Sequence, residues 1–107
     1  MAAQQILSNA VNITIDTPEA LFIAGAKGVV IESFTAANNS SVNASYKAYI
    51  VEPSGTEQPQ IPFKIVVWGD NDLGIGLVNQ IIPAGGSLKL ESSALASIYF
   101  TATGREI

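Results

Sequence analysis

Apolar and polar residues alternate along much of this chain with a period of two, and helical periodicity is almost absent. In residues 87–91 the leucines occupy one side of the pattern, while Lys89 and Glu91 occupy the other. Residues 98–103 alternate in the same way near the end of the chain. A period of two is the repeat of a β-strand that is buried on one face.

Clusters of Gly, Pro, Asn and Asp separate these stretches and divide the chain into predicted strands. The strands are predicted over residues 12–16, 21–23, 29–34, 46–51, 63–68, 77–82, 87–91 and 98–103. Short strands with turn signals at this spacing are typical of antiparallel sandwiches and barrels. We therefore predict an all-β fold, a single antiparallel β-sandwich of the jelly-roll type with roughly eight short strands. Residues 54–62 carry two further prolines and are predicted to form a long loop or an edge crossing.

The domain organisation follows from length and from the weak pattern at the start of the chain. Its 107 residues suit one domain, and residues 12–107 show no linker or repeat. Residues 1–11 are small and polar, which fits either a disordered tail or an extended arm. Such an arm would pair with a sheet edge of a neighbouring subunit, with Ile6, Leu7 and Val11 as its candidate interface residues.

The composition indicates that the protein is a component of an assembly. The chain has no His and no Cys, and 13% of its residues are charged, while 48% are apolar. A typical soluble domain has about 25% charged residues. Much of the surface must therefore be apolar or neutral and polar, which is usual where subunits meet. We expect a structural protein that acts without a cofactor or metal, and not an enzyme.

Charge and hydropathy argue against nucleic-acid and membrane partners. The net charge is −4, and the basic residues are scattered singly, at Lys27, Lys47, Lys64, Lys89 and Arg105. They form no stripe that would neutralise phosphates. No window approaches the roughly 20 apolar residues that span a bilayer. The start of the chain lacks the pattern of a secretory signal, so we expect a protein made in the cytoplasm and not secreted.

Two acidic residues offer a candidate cation site. The sequence Asp70-Asn71-Asp72-Leu73-Gly74 has the opening spacing of an EF-hand loop, but the twelfth position is Ile81 instead of an acid. A turn between strands explains the same residues, because Asp and Asn form side-chain turns and Gly permits a positive φ. Both interpretations stay open, with Asp70 and Asp72 as the oxygen ligands of a calcium ion in the second.

The aromatic residues divide into a core group and an outer group. Trp68 and Phe100 are predicted to fill the core. Tyr49 and Tyr99 lie on the opposite side of their strands from the apolar neighbours, so they are candidates for a protein interface or a carbohydrate-stacking platform. Two half-exposed tyrosines without a specific role would give the same pattern.

The second half of the chain contains segments that can be compared with a known family. They are Tyr49-Ile50-Val51-Glu52-Pro53, Asn79-Gln80-Ile81-Ile82-Pro83-Ala84-Gly85-Gly86-Ser87-Leu88, and the closing run from Ile98 to Ile107. Together they resemble the short β-sandwich virion proteins of tailed bacteriophages over residues 29–107. Ala96-Ser97 stand where that family usually has an aspartate before the last strand.

The resemblance implies a capsid decoration (cement) protein that forms dimers or trimers. Its partner would be the major capsid protein, its location the capsid surface of the virion, and its role the bridging of capsid subunits. The resemblance carries over no catalytic residues. The alternative is a head-fibre or tail-tip module that binds host-surface carbohydrate through Tyr49 or Tyr99.

Overall fold

The computed structural model of the protein describes residues 16–94 and 97–107 in full, and residues 5–11 by their backbone. Nine strands lie in this part of the chain, and they are all antiparallel to their neighbours. In chain order they are β1 (Gln5–Val11), β2 (Glu19–Ile23), β3 (Val29–Asn38), β4 (Ala44–Val51), β5 (Glu57–Val66), β6 (Asn71–Asp72), β7 (Ile81–Ile82), β8 (Ser87–Ser92) and β9 (Ile98–Glu106). No helix long and apolar enough to cross a membrane occurs among the described residues.

The strands pair in a nested order, which defines the topology. β1 pairs with β9, β2 with β8, β3 with β6, and β4 with β5. The result is two sheets, a five-stranded one in the order β1-β9-β3-β6, with β7 also on β3, and a four-stranded one in the order β2-β8-β4-β5. Without the short β7, each sheet has four strands, and eight strands connected in this way form a jelly roll. The prediction of a jelly-roll β-sandwich is confirmed.

The core lies between the two sheets and contains the inward-facing side chains of the strands, which alternate with outward-facing ones. Three rings meet at its centre, Phe34 from β3, Tyr46 from β4 and Phe100 from β9, with centroids 5.6 to 6.1 Å apart. All three are at most 2% exposed, which confirms the core position predicted for Phe100. Each buried ring of this kind stabilises the fold by roughly 1.5–3 kcal/mol.

The prediction of a strand over residues 77–82 is mostly wrong. Only β7 at its end pairs with β3, and the preceding residues form consecutive turns. The N–H of Leu77 donates to the carbonyl of Gly74 at 2.9 Å, and Asn79 adopts a φ of 68°. Leu77 lies in this turn and is fully buried, so it reaches the core without extended backbone. Ile82 is buried as well, whereas Ile81 is 54% exposed.

The predicted loop or edge crossing at residues 54–62 is largely the first half of β5. β5 is the last strand of the four-stranded sheet, and Pro59 and Pro62 lie within it. Prolines are tolerated there because an edge strand needs main-chain donors on one side only. The strand predicted over 12–16 lies mostly outside the described residues.

Candidate interaction surfaces

The outer face of the four-stranded sheet carries paired charges. Lys47 Nζ lies 3.6 Å from Glu91 Oε2, and Lys89 Nζ lies 3.0 Å from Glu57 Oε2. Tyr49 lies among them, and its hydroxyl donates to Glu91 Oε1 at 3.0 Å. Desolvation, and then this hydrogen bond, raise the pKa of Tyr49 above its ordinary value. Lys47, Lys89 and Glu57 are open to water, whereas Glu91 is 8% exposed. Ion pairs near the surface contribute little net energy.

The outer face of the five-stranded sheet has a different chemistry. Its centre presents Tyr99, Thr101 and Thr103 from β9, with Ser33 and Thr35 from the neighbouring β3. Thr35 pairs in register with Thr101, and Ser33 pairs with Thr103, with their hydroxyl oxygens 2.5 Å apart. None of these five residues, called the hydroxyl face below, is charged. The ion pair between Arg105 Nε and Glu32 Oε2, at 2.7 Å, lies at one end of them.

The predicted interface residues of the first strand border the hydroxyl face. β1 pairs with β9 of the same chain, so residues 5–11 of the predicted arm form an edge strand of the five-stranded sheet. Val11 is the register partner of Tyr99, and Ile6 is the partner of Thr103. Leu7 lies at the register shift between Ile6 and Ser8.

Tyr49 and Tyr99 do not lie on one surface. Tyr49 is on β4 of the four-stranded sheet, and Tyr99 is on β9 of the five-stranded sheet. Both point away from the core, because the residues on either side of each in sequence are buried. The two rings therefore lie on opposite outer faces of the sandwich, and they cannot form a common stacking platform.

A third surface was not predicted from the sequence. Phe63, Ile65, Val67 and Trp68, called the apolar edge below, are each between 48% and 59% exposed. They lie on the second half of β5 and just beyond it. The core position predicted for Trp68 is wrong, because Val66 is the last inward residue and Trp68 follows the end of the strand. The N–H of Trp68 donates to Asn43 Oδ1 at 3.1 Å.

A shallow groove runs along this edge on the outer side of the four-stranded sheet. Its volume is about 260 Å³, and its lining consists of Asn43, Ala44, Ser45, Phe63, Ile65 and Ser93. Apolar side chains and uncharged hydrogen-bonding groups therefore lie together at the open edge of the sheet. This combination is typical of protein interfaces, in which charged residues are depleted and aromatic residues are enriched.

The residues considered for a cation site make other contacts. Asp72 Oδ2 accepts hydrogen bonds from the Tyr46 hydroxyl at 2.5 Å and from the N–H of Gly74 at 3.2 Å. Lys64 Nζ lies 3.9 Å from Asp72 Oδ1. Asp70 Oδ1 accepts from the N–H of Asn71 at 2.8 Å. Within residues 16–94 and 97–107 no group of three or more acidic residues could hold a metal ion. Asn71 and Asp72 are not in a turn, because they form β6 and pair with β3; the turn begins after them, at the contact of Asp72 with Gly74.

Comparison with known proteins gave one distant structural similarity. No protein-family model and no curated protein matches the sequence. A solved structure of infectious bursal disease virus (Gt strain) is similar to this chain, with 14% sequence identity and a TM-score of 0.45. The similarity covers 97% of this chain, which spans 29% of the viral chain.

Proposed function

We propose that this protein is a structural virion protein of a tailed bacteriophage, a decoration protein that stabilises the capsid by bridging major capsid subunits. The resemblance of residues 29–107 to short phage virion proteins supports this proposal. The jelly-roll topology agrees with it, since jelly rolls are frequent among capsid domains.

The observation that carries the proposal is the difference between the two outer faces. The outer face of the four-stranded sheet carries two ion pairs at its centre. The hydroxyl face presents Tyr99 among threonines and a serine, and the ion pair of its sheet, Arg105–Glu32, lies at one end of it. The core of a protein interface is depleted of charged residues, because their desolvation is costly. The hydroxyl face, with β1 beside it, is therefore the surface that binds the major capsid protein.

Bridging needs no chemistry beyond this contact. Each copy buries apolar area against the shell, at roughly 25 cal/mol per Å². The same contact is repeated over a symmetric capsid, so a weak stabilisation per copy adds up over the particle. The protein would be made in the host cytoplasm and then located on the capsid surface.

The proposal is tested by rebinding to capsids that lack the protein. Purified protein is mixed with such capsids, free and bound fractions are separated by sedimentation, and the melting temperature of the capsid is measured. We expect binding and a higher melting temperature. Capsids that neither bind the protein nor change their melting temperature contradict the proposal.

Matched variants locate the docking face. Ser33→Glu places a carboxylate on the hydroxyl face at an exposed position, and Ala20→Glu places one at an exposed position on β2 of the other sheet. We expect Ser33→Glu to weaken capsid binding at least tenfold, while Ala20→Glu binds like the original protein. Circular dichroism confirms that both variants are folded. Equal binding by the two variants would show that the capsid contacts a different face.

A further inference from the structure

We propose that the apolar edge binds a second copy of this chain, in a two-fold dimer that joins the two four-stranded sheets through β5. The inference concerns a different surface from the capsid-docking face and does not depend on that assignment. It rests on the backbone of β5, on its exposed side chains and on its self-complementary register.

The two halves of β5 differ in their ability to accept another strand. The first half contains Pro59 and Pro62, which lack N–H donors, and begins with the charged Glu57. Prolines and charges at an edge prevent pairing with other chains. The second half, Phe63–Val66, contains no proline, and its side chains on the outer face, Phe63 and Ile65, are apolar and exposed. The exposed Lys64 lies between them and faces Asp72 of its own chain. In the second half of β5, therefore, the outer side chains favour contact with another chain, and the backbone is able to pair with another strand.

The main-chain groups of Ile65 point to the open side of the sheet. Its register partner on β4 is Ser45. The N–H of Ser45 donates to Ser93 Oγ at 2.8 Å, and its carbonyl accepts from the N–H of Ser93 at 2.9 Å. Both main-chain groups of Ser45 therefore face away from β5. In an antiparallel pair this makes Ser45 and Ile65 a non-hydrogen-bonded pair, which leaves the N–H and carbonyl of Ile65 directed outward.

A two-fold axis at Ile65 uses those two groups. Ile65 of each copy would then donate to and accept from Ile65 of the other, forming a closed pair of hydrogen bonds. The same register sets Phe63 of one copy opposite Val67 of the other, on the same face of the joined sheet. An isologous contact of this kind stops at a dimer, because each copy uses the same edge to bind the other and no such edge remains free.

Charge and area agree with a second copy as the occupant. Lys64, the only charged residue between Phe63 and Trp68, would lie opposite Val66 of the other copy, and it already faces Asp72 of its own chain. No like charges would therefore meet directly across the axis. The apolar edge exposes several hundred square ångströms per copy, which is a large part of the roughly 800 Å² per partner in a standard interface.

The dimer would also explain how one small chain can bridge a shell, a consequence that rests on the proposed function. The two-fold axis of an antiparallel strand pair is perpendicular to the sheet, so both five-stranded sheets remain on the same side. Two hydroxyl faces would then be directed toward one surface. Simultaneous engagement of two sites raises the overall affinity by roughly 10² to 10⁴.

The test is the mass and the dissociation of the purified full chain, measured by light scattering and sedimentation equilibrium. We expect a dimer whose dissociation constant rises at least tenfold in Ile65→Lys, since this variant sets two like charges on the axis. The control is Ile23→Lys, on the opposite edge strand β2 of the same sheet, where Ile23 is 69% exposed. Its dissociation constant should stay unchanged.

Cross-linking gives a second measurement that does not require a destabilised dimer. Because the chain has no cysteine, Ile65→Cys introduces a single thiol at the axis, where the Cα atoms of the pair would lie about 5.5 Å apart. We expect disulfide-linked dimers of Ile65→Cys, and far fewer of Ile23→Cys, under the same mild oxidation. A monomer at all concentrations, a trimer, or equal effects in the matched variants would overturn the proposal. Loss of capsid binding by an intact dimer would contradict only the proposed function.

Discussion

The hydroxyl of Tyr46 donates a hydrogen bond to Asp72 Oδ2 at 2.5 Å, and this contact joins the two sheets of the sandwich. Tyr46 lies on β4 of the four-stranded sheet, and Asp72 lies on β6 of the five-stranded sheet. The same carboxylate oxygen accepts from the N–H of Gly74 and thereby orders the turn after β6. Asp72 is therefore a structural residue at the edge of the core.

Removing this hydroxyl should destabilise the fold. Tyr46→Phe keeps the ring contacts but leaves Asp72 without its shortest hydrogen bond, and hydrogen bonds to charged groups contribute roughly 1.5–3 kcal/mol. We expect the free energy of unfolding in urea to fall by about that amount. Tyr49→Phe is the control, because it removes a longer bond to Glu91 on the outer face. An equal loss in the two variants would contradict the special role of the Tyr46 bond.

The same tyrosine should make stability sensitive to alkaline pH. Burial and then the hydrogen bond to Asp72 raise the pKa of Tyr46 well above the unfolded value, which is about 10. Between these two values the unfolded chain loses the proton and the folded chain keeps it. The contribution is thus fully present below about pH 10 and decreases above it, by at most about 1.4 kcal/mol per pH unit. Urea unfolding from pH 8 to 11 should show this slope, and Tyr46→Phe should reduce it more than Tyr49→Phe.

Gly74 should tolerate no side chain. Its φ is 55°, and a Cβ atom there would overlap the ring of Phe34 in the core. Gly55 also has a positive φ, of 93°, but a Cβ there meets nothing within 4 Å. Gly74→Ala combines strain with overpacking, so we expect it to cost several kcal/mol, against about 1 kcal/mol for Gly55→Ala. Chemical denaturation of both variants checks this, and similar costs would show that the core of the sandwich adjusts freely around Phe34.

The fold class was predictable because alternation is local, whereas the apolar edge depends on distant pairing. The residues of Phe63–Trp68 favour a strand wherever that strand lies in the fold, and Val66 is buried. The apolar edge is exposed because β5 is the last strand of its sheet. The order of strands in that sheet is set by pairing between residues far apart in sequence. Prolines in residues 54–62 were the one local signal of an edge. The core position predicted for Trp68 was wrong for this reason.

The loop at residues 38–43 shows the same limit. Asn38, the last residue of β3 before this loop, is polar, yet it is 1% exposed. Asn38 Nδ2 donates to the carbonyls of Val42 and Val66 at 2.9 Å each. One side chain therefore fixes both the loop and the end of β5 where the apolar edge lies. Spacing in sequence gives no sign of the second bond, which spans 28 residues.

Replacing Asn38 should therefore affect both stability and dimer formation. Asn38→Asp keeps the shape but removes both donors and turns a carboxylate oxygen toward the two carbonyls, which leaves buried polar groups unpaired. We expect a loss of about 2–4 kcal/mol in the free energy of unfolding, and a weaker dimer even where the chain is folded. Ser40→Ala is the control and should cost less, because it removes only the hydroxyl that donates to Asn38 Oδ1. A stable Asn38→Asp variant with an unchanged dimer would contradict this role.

Tyr99 separates capsid docking from the carbohydrate alternative. It lies at one end of the hydroxyl face and pairs in register with Val11 of β1 and with Ala37 of β3. If this face binds the major capsid protein, Tyr99→Ala should weaken capsid binding at least tenfold, because aromatic residues dominate interface energies. The original protein should then bind neither host cells nor glycan arrays. Glycan binding that is lost in Tyr99→Ala but kept in Tyr49→Ala, together with unchanged capsid binding, would instead assign this face to carbohydrate.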